Sequence, residues 1–309
     1  MKKNLLLCMA AVAVLAGCNK GQVAPEVPGE IRVTAGIGEL TKVAYSGDKS
    51  AFEKGDQIVV YAWMGDASAV PAKRVVDAVV NTYDGKLWNP EVQMLWKTVV
   101  DPHYFLGIAP VHDIPDFTAD PYQLDPKDWQ WSDLLIAQIL GDGIKAASNP
   151  VPLSFDHAMA RLDVNLSFRN QWTQELPADV NTEALIASVV ASAQTGATVN
   201  YITKAVTPVG DKVDIPMVKK ANNAWTSLMV PQEGFTTITL YLEGNDEWWG
   251  GNQTHVFTSA EPITLKSGKV TTVNLIVGRD QIELGSISIN DWKAGQAYPD
   301  EDAEEVEAI

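Results

Sequence analysis

Histidine and paired carboxylates are the side chains most able to carry acid–base or metal chemistry. The chain has four histidines, which are His103, His112, His157 and His255. His103 and His112 flank an apolar segment and are too far apart on an extended chain to share a metal ion, unless the chain folds back. His157 sits in the segment Leu153-Ser154-Phe155-Asp156-His157-Ala158-Met159, where a partly buried histidine bonded to backbone groups is favoured over a catalytic one.

The other chemical signals are also weak. The acidic pair Asp246 and Glu247 lies in a loop with no sign of burial, so no acid–base pair is supported there. The sequence has no Gly-Lys-Ser/Thr loop, no Gly-x-Ser-x-Gly motif and no His-Glu-x-x-His motif. It therefore predicts no enzyme activity, no metal site and no cofactor.

Tryptophan is unusually frequent, with ten residues. Trp248 and Trp249 stand together in a polar, glycine-rich loop, where exposed indole rings could stack on a sugar. Tryptophans can equally fill the open ends of a β-sandwich core. For the pair at 248–249 both interpretations remain open, whereas the core interpretation is favoured for the other tryptophans.

The N-terminus has the order of a bacterial lipoprotein signal. A basic start at residues 1–3 precedes an apolar run over residues 5–15, and Leu15-Ala16-Gly17-Cys18 follows. The apolar run is too short to cross a bilayer, which predicts a removed signal peptide over residues 1–17. We expect lipid on the thiol of Cys18, which would anchor the mature protein in a membrane. Cys8 lies in the removed segment, so no disulfide can form.

The formal charge of the chain is −16, from 23 basic and 39 acidic residues. This balance argues against binding to nucleic acid and against docking on acidic membranes through a basic patch.

Most of the remaining sequence has the pattern of β-strands. The clearest segments are residues 30–37, 56–63, 161–168, 237–243, 271–277 and 287–289. In segment 161–168 the alternation places Leu162, Val164, Leu166 and Phe168 on one buried face. Segments 131–140 and 179–191 could each be a helix or a buried strand. Many short strands with turn signals and few helices predict an all-β protein made of sandwiches.

The length exceeds one sandwich, which predicts two domains. A tether over residues 18–29 leads to an N-terminal domain at 30–150 and a C-terminal domain at 151–296, and an acidic tail follows at 297–309. The boundary is placed at the segment Ser148-Asn149-Pro150-Val151-Pro152.

Several segments, taken in order, resemble the fimbrillin family of Bacteroidales. They are the aromatic, Gly-Asp and Ile-x-Val-Tyr entry at 52–61, Trp88, Trp96, the aromatic and proline segment at 104–110, the Asp-Leu-Leu-x-Ala segment at 132–137, the Phe-x-His element at 153–162, and the closing segments at 265–269 and 289–292. The chain departs from the family at Leu106-Gly107, where more aromatic residues are usual, and in the long loop around Trp248.

The resemblance implies two tandem transthyretin-like β-sandwich domains and a structural pilus subunit that supports adhesion. It also implies a lipoprotein precursor at the cell surface, a trypsin-like processing protease, and assembly with other pilus subunits by β-strand addition. A surface glycan-binding lipoprotein is the alternative, for which Trp248 and Trp249 would be the contacts.

The residues for strand addition can be named. Segment 30–37 carries Ile31, Val33, Ala35 and Ile37 in phase, and it is the strand that proteolysis would remove. Lys42 in the following loop is the preferred cleavage site, because a cut there frees the whole strand. Arg32 is the second candidate, since the family is usually cut after arginine.

Overall fold

A computed structural model describes residues 29–38, 51–168, 185–243, 252–278 and 282–292. The all-β prediction is confirmed: these residues form seventeen strands, one four-residue α-helix and one 3-10 turn, in three sheets. None of the described helices is long or apolar enough to span a membrane.

The first sheet has seven strands. They are β1 (Val33–Ile37), β2 (Gln57–Trp63), β3 (Val76–Tyr83), β4 (Trp88–Pro90), β5 (His103–Ala109), β7 (Leu135–Ile144) and β8 (Val151–His157). Their spatial order is β1-β8-β7-β5-β2-β3-β4. All neighbours are antiparallel except β1 and β8, which run parallel with Val33 opposite Val151 and Ile37 opposite Phe155.

The two edges of this sheet approach each other. The residues before β1 pair with the segment that follows β4, through a bridge between Glu30 and Leu95. The Ile31 N–H donates to the Met94 carbonyl at 2.8 Å, and the Trp96 N–H donates to the Gly29 carbonyl at 3.1 Å. Segment 29–37 is therefore held by β8 on one side and by residues 94–96 on the other.

The other two sheets have five strands each. One contains β6 (Asp120–Gln123), β10 (Ile186–Asn200), β11 (Ala205–Pro216), β14 (Gln232–Leu242) and β15 (Gln253–Leu265). The other contains β9 (Ala160–Phe168), β12 (Val218–Ala221), β13 (Ala224–Met229), β16 (Lys269–Val277) and β17 (Ile282–Asp291). They share one apolar core that includes Val189, Ile238, Leu162 and Val273, which makes this half a β-sandwich.

The seven-stranded sheet is buried on both faces at its centre. Along β2, Ile58, Val60 and Ala62 join one apolar cluster, whereas the alternate residues Tyr61 and Trp63 join another. The second cluster also contains residues from β13 and from the end of β10, so it joins this sheet to the rest of the protein. Burial on both faces explains why β2 and β5 are nearly continuous apolar runs.

The two ambiguous segments are strands for most of their described length. Residues Trp129–Ser132 form a short helix, α1, and β7 begins at Leu135. The second segment enters β10 at Ile186, while residues 179–184 lie outside the described part. Gly141 and Gly143 in β7 both have positive φ, a conformation that accompanies a bulge where a helical period would not fit.

The predicted buried face of strand 161–168 is confirmed, and the opposite face is buried over the first residues as well. Leu162, Val164 and Leu166 are buried as predicted, but Arg161 and Asp163 on the opposite face are buried too. Residues from distant strands cover that face. The Lys220 ammonium lies 3.7 Å from the Asp163 carboxylate, and the Trp292 ring lies over the Arg161 guanidinium at 5.7 Å.

The division into domains at residue 150 stays a prediction. Strand β8 follows that point in the chain but pairs with β1 and β7, whereas β6 precedes it and pairs with β10. A division that followed sheet membership would lie after His157, with β6 reaching across it.

Candidate functional site

The predicted removable strand is present as β1, at the edge of the seven-stranded sheet. Ile31, Val33 and Ile37 are buried, and Ala35 is half-buried. The alternation that puts these side chains on one face follows from the two-residue period of a strand. Full burial of each large apolar side chain contributes about 1.5–3 kcal/mol, so the strand is a substantial part of this core.

Aromatic rings line the core that β1 covers. Phe52 contacts Trp88 edge to face at a centroid distance of 5.0 Å, and it contacts Phe155 in the same way at 5.3 Å. Trp96 and Phe105 form a further edge-to-face pair at 5.7 Å. Without segment 29–37, this cluster would face a trough with the β8 edge unpaired on one side and residues 94–96 unpaired on the other.

Phe155 also explains the departure at Leu106-Gly107 from the family pattern. A Cβ added to Gly107 would lie 2.8 Å from the Phe155 ring and 3.2 Å from Leu153. The absent side chain of Gly107 thus makes room for an aromatic residue contributed by β8.

Arg32 is exposed, but its backbone is held. Its N–H donates to the Asn149 Oδ1 at 2.9 Å, and its carbonyl accepts from the Val151 N–H at 2.8 Å. Its guanidinium forms an ion pair with Glu30 at 3.4 Å. A cut after Arg32 would leave Val33–Ile37 joined to the rest of the chain, because β1 begins at the next residue. Lys42 lies outside the described residues, as do Cys18, Trp248 and Trp249.

The histidines have structural partners. His103 is fully buried against Trp96, its Nε2 accepts from the Lys97 N–H at 3.2 Å, and its Nδ1 lies 3.1 Å from the Asp101 carbonyl. These contacts fit the neutral ring with the proton on Nδ1. Burial lowers the pKa of His103 below its usual value, since the charged form would lose its hydration.

A second histidine belongs to a polar cluster beside the apolar interface. The Tyr201 hydroxyl donates to the Asp120 Oδ2 at 2.8 Å and lies 2.8 Å from the His112 Nε2. Burial, followed by the hydrogen bond to Asp120, raises the pKa of Tyr201, and burial raises the pKa of Tyr61 to about 12. Both phenols therefore stay protonated and act as hydrogen-bonding groups.

His157 is buried, and its partner differs from the one expected. Its Nδ1 lies 2.8 Å from the Asp133 carboxylate, so the expectation of a backbone partner is wrong. Asp133 follows α1 and His157 ends β8, an approach between distant segments that alternation in β8 alone cannot predict. No group of three or more His, Cys, Asp or Glu within the described ranges could hold a metal ion.

The tryptophans mostly support the core interpretation. Trp63, Trp88, Trp96 and Trp225 are buried, and Trp129 and Trp292 are half-buried. Trp131 is the exception, with 61% of its surface exposed. Its exposure was not predicted from the sequence. The signal that could have found it is the polar run Asp125-Pro126-Lys127-Asp128 just before it, which is typical of a surface turn.

A family model described as fimbrillin-like matches residues 41–292, which is most of the chain. The chain belongs to the fimbrillin-like family. The match begins after β1 and ends at Trp292. None of the curated proteins matches the sequence.

Solved structures share the fold of this fimbrillin-like chain. Two proteins named as putative cell adhesion proteins are similar to it at 17% identity. The one from Bacteroides uniformis has a TM-score of 0.64 over 85% of this chain and 99% of its own. The one from Bacteroides ovatus has a TM-score of 0.60 over 86% and 98%. A fimbrial protein from Bacteroides vulgatus has a TM-score of 0.52 at 11% identity, over 85% and 99%.

Proposed function

We propose that this chain is a structural fimbrial subunit that polymerises by strand exchange after proteolysis removes β1. It is made as a lipoprotein precursor, with lipid on Cys18 holding it at the outer membrane. Processing releases it into the fimbrium at the cell surface, where it supports adhesion. The fimbrillin-like family and the fimbrial and adhesion proteins that share its fold support the coarser part of this proposal, a fimbrial subunit.

The position of β1 is the observation that carries the strand-exchange part. It is an edge strand, and segment 29–37, which it ends, contributes Ile31, Val33 and Ile37 to a core otherwise built by the remaining strands of the sheet. Its loss would leave the β8 edge unpaired beside an apolar trough. A strand from another subunit could pair with the β8 edge and place its side chains in the trough. Main-chain hydrogen bonds would then give affinity, and alternate side chains would give specificity.

The structure favours Lys42 over Arg32 as the processing site. A protease needs an extended segment that can leave the fold, and the Arg32 backbone is bonded to Asn149 and Val151. A cut after Arg32 would also leave β1 in place. A cut after Lys42 would fall beyond the strand, in the stretch 39–50 between β1 and β2, and would make all of β1 removable.

The test uses the mature chain with Cys18→Ser, treated with trypsin and followed by size, N-terminal sequence and thermal stability. We expect the uncut protein to be a stable monomer. Cut protein should begin at Val43, melt at a lower temperature when dilute, and form polymers as its concentration rises. A synthetic peptide of residues 30–37 should restore the melting temperature and suppress the polymers.

Two variants in the stretch 39–50 provide the control. Lys42→Gln should abolish the new N-terminus at Val43, whereas Lys49→Gln should leave that cut and the release of β1 unchanged, because only the first removes the proposed cleavage site. A clipped protein that stays monomeric, keeps its melting temperature and ignores the peptide would contradict strand exchange. Binding of glycans by such a protein would then favour the role of a surface glycan-binding lipoprotein.

A further inference from the structure

Trp131 presents a large apolar surface to solvent. Its exposed fraction is 61%, whereas every other tryptophan in the described part of the chain is buried or half-buried. The nearest large exposed apolar residues along the chain are Val100 and Val209, so Trp131 does not belong to an apolar run. Burying an indole ring is favourable, so a well-exposed tryptophan is uncommon. The exposure of Trp131 therefore suggests a role other than packing.

The short helix that carries Trp131 is tied down on several sides. The Trp129 Nε1–H donates to the Pro126 carbonyl at 3.0 Å, and the Asp133 N–H donates to the Trp129 carbonyl at 2.9 Å. Buried Ser132 accepts from the Asp125 N–H through its Oγ at 2.9 Å. The Tyr122 hydroxyl of β6 donates to the Ser132 carbonyl at 3.1 Å. The Trp131 backbone is thus held before any ligand arrives, which lowers the entropy lost on binding.

The residues around Trp131 in the chain are polar. Asp125, Lys127 and Asp128 are exposed. Asp128 occupies the N-cap position of α1 but makes no side-chain capping hydrogen bond. Within the described ranges, neither Asp128 nor Lys127 has an ion-pair partner. A carboxylate and an ammonium group close in sequence to an exposed indole are therefore free to bind hydroxyl groups.

This combination matches the chemistry of a sugar ring. One face of a pyranose is lined by C–H groups that can stack on an indole, and its edge carries hydroxyls that carboxylate and ammonium groups can bind. The net charge of −16 and the two carboxylates disfavour a sulfated or sialylated ligand. A protein partner would call for a cluster of apolar residues at the centre of an interface, and the chain around Trp131 is charged instead.

We propose that Trp131 is the stacking platform of a binding site for a neutral, hexose-containing glycan. The site goes beyond the role of a fimbrial subunit and does not depend on strand exchange, because it requires only the folded chain. It also uses a different part of the chain from the candidate contacts Trp248 and Trp249, which lie outside the described residues.

The test is binding of the mature chain with Cys18→Ser to an array of neutral, sialylated and sulfated glycans. The best neutral ligand is then titrated against variants. We expect Trp131→Ala to weaken binding at least tenfold and Trp131→Phe to retain part of it. Leu87→Ala should bind like the parent protein, since Leu87 is an equally exposed apolar residue, at 66%, in a different turn. The melting temperature should not change in any of these variants.

Four results would overturn the proposal. The first is the absence of any bound neutral glycan. The second is equal binding by Trp131→Ala, and the third is a loss of binding in Trp248→Ala together with Trp249→Ala while Trp131→Ala binds normally. A change of polymer length in Trp131→Ala without a change in glycan binding would likewise overturn it, and would assign the ring to a contact between subunits.

Discussion

The imidazole ring of His157 lies flat on the indole ring of Trp292, with the centroids 3.9 Å apart and the planes inclined by 3°. His157 ends β8 in the seven-stranded sheet, whereas Trp292 follows β17 in the sandwich. The backbone N–H of Trp292 also donates to the Gly268 carbonyl at 3.0 Å. This stack therefore joins the end of β17 to the first sheet.

Trp292→Ala should lower the free energy of unfolding by about 1–3 kcal/mol, because it removes an aromatic stack and a half-buried ring that covers Arg161. Urea unfolding followed by circular dichroism measures the change. Trp131→Ala is the matched control, since it removes the same side chain from an exposed position and should change stability by less than about 0.5 kcal/mol. Equal effects of the two substitutions would contradict a role for the stack.

Asp163→Asn should be among the most destabilising polar substitutions. Arg161 and Asp163 form a buried ion pair at 3.0 Å, and the Asn side chain would remove this carboxylate charge from beside the buried guanidinium. A loss of about 3–5 kcal/mol is expected. Asp156→Asn breaks the more exposed pair with Lys204, which spans 2.8 Å, and should cost less than about 1 kcal/mol. Comparable losses in the two variants would show that the buried pair contributes no more to stability than the exposed pair.

The free energy of unfolding should decrease as the pH falls below the pKa of an ordinary histidine, in part because of His103. Its pKa is lowered in the folded state, so the unfolded state binds a proton first. The stabilisation is fully present above a pH of about 6.5 and is lost as the pH falls towards the lowered pKa. His103→Gln can keep both hydrogen bonds without titrating. Unfolding is measured between about pH 7.5 and about pH 5, a range that spans the ordinary histidine pKa of about 6.5. The free energy of unfolding should depend less steeply on pH in this variant than in the parent protein. If the free energy of unfolding depends on pH as steeply in this variant as in the parent protein, His103 does not contribute to the loss of stability.

Ile31→Ala should reveal whether β1 leaves after cleavage. In the uncut protein it removes a fully buried side chain and should lower the free energy of unfolding by about 2–4 kcal/mol. Thr34→Ala, on the exposed side of the same strand, should have little effect. After trypsin treatment, all three proteins should have the same stability because the segment is gone. A difference that persists after cleavage would mean that β1 remains bound.

The sequence was sufficient for features with a local cause. Alternation predicted the strand that carries Ile31, Val33 and Ile37, and it predicted the inner faces of β14 and β16. It could not show that β1 pairs with β8, because parallel pairing between distant segments leaves no local pattern.

Burial of polar side chains was the main property that local patterns missed. In β9 the polar residues alternate as they would on a solvated face, yet Lys220 and Trp292 cover Arg161 and Asp163. The two tryptophans of α1 show the same limit. Trp129 is half-buried and Trp131 exposed, and which ring faces solvent depends on how the turn docks on β6.

The pairing of β1 with β8 has a kinetic consequence. Arg32, which precedes β1, bonds to Asn149, and the two residues are 117 positions apart in the chain. The other ladders of the sheet join segments much closer in sequence, so the sheet can form while the place of β1 is still empty. A chain that folds in this order would pass through a stage that could capture a neighbour's strand. Its own β1 is covalently attached, at an effective concentration of about millimolar, and closes the fold before dilute neighbours can compete.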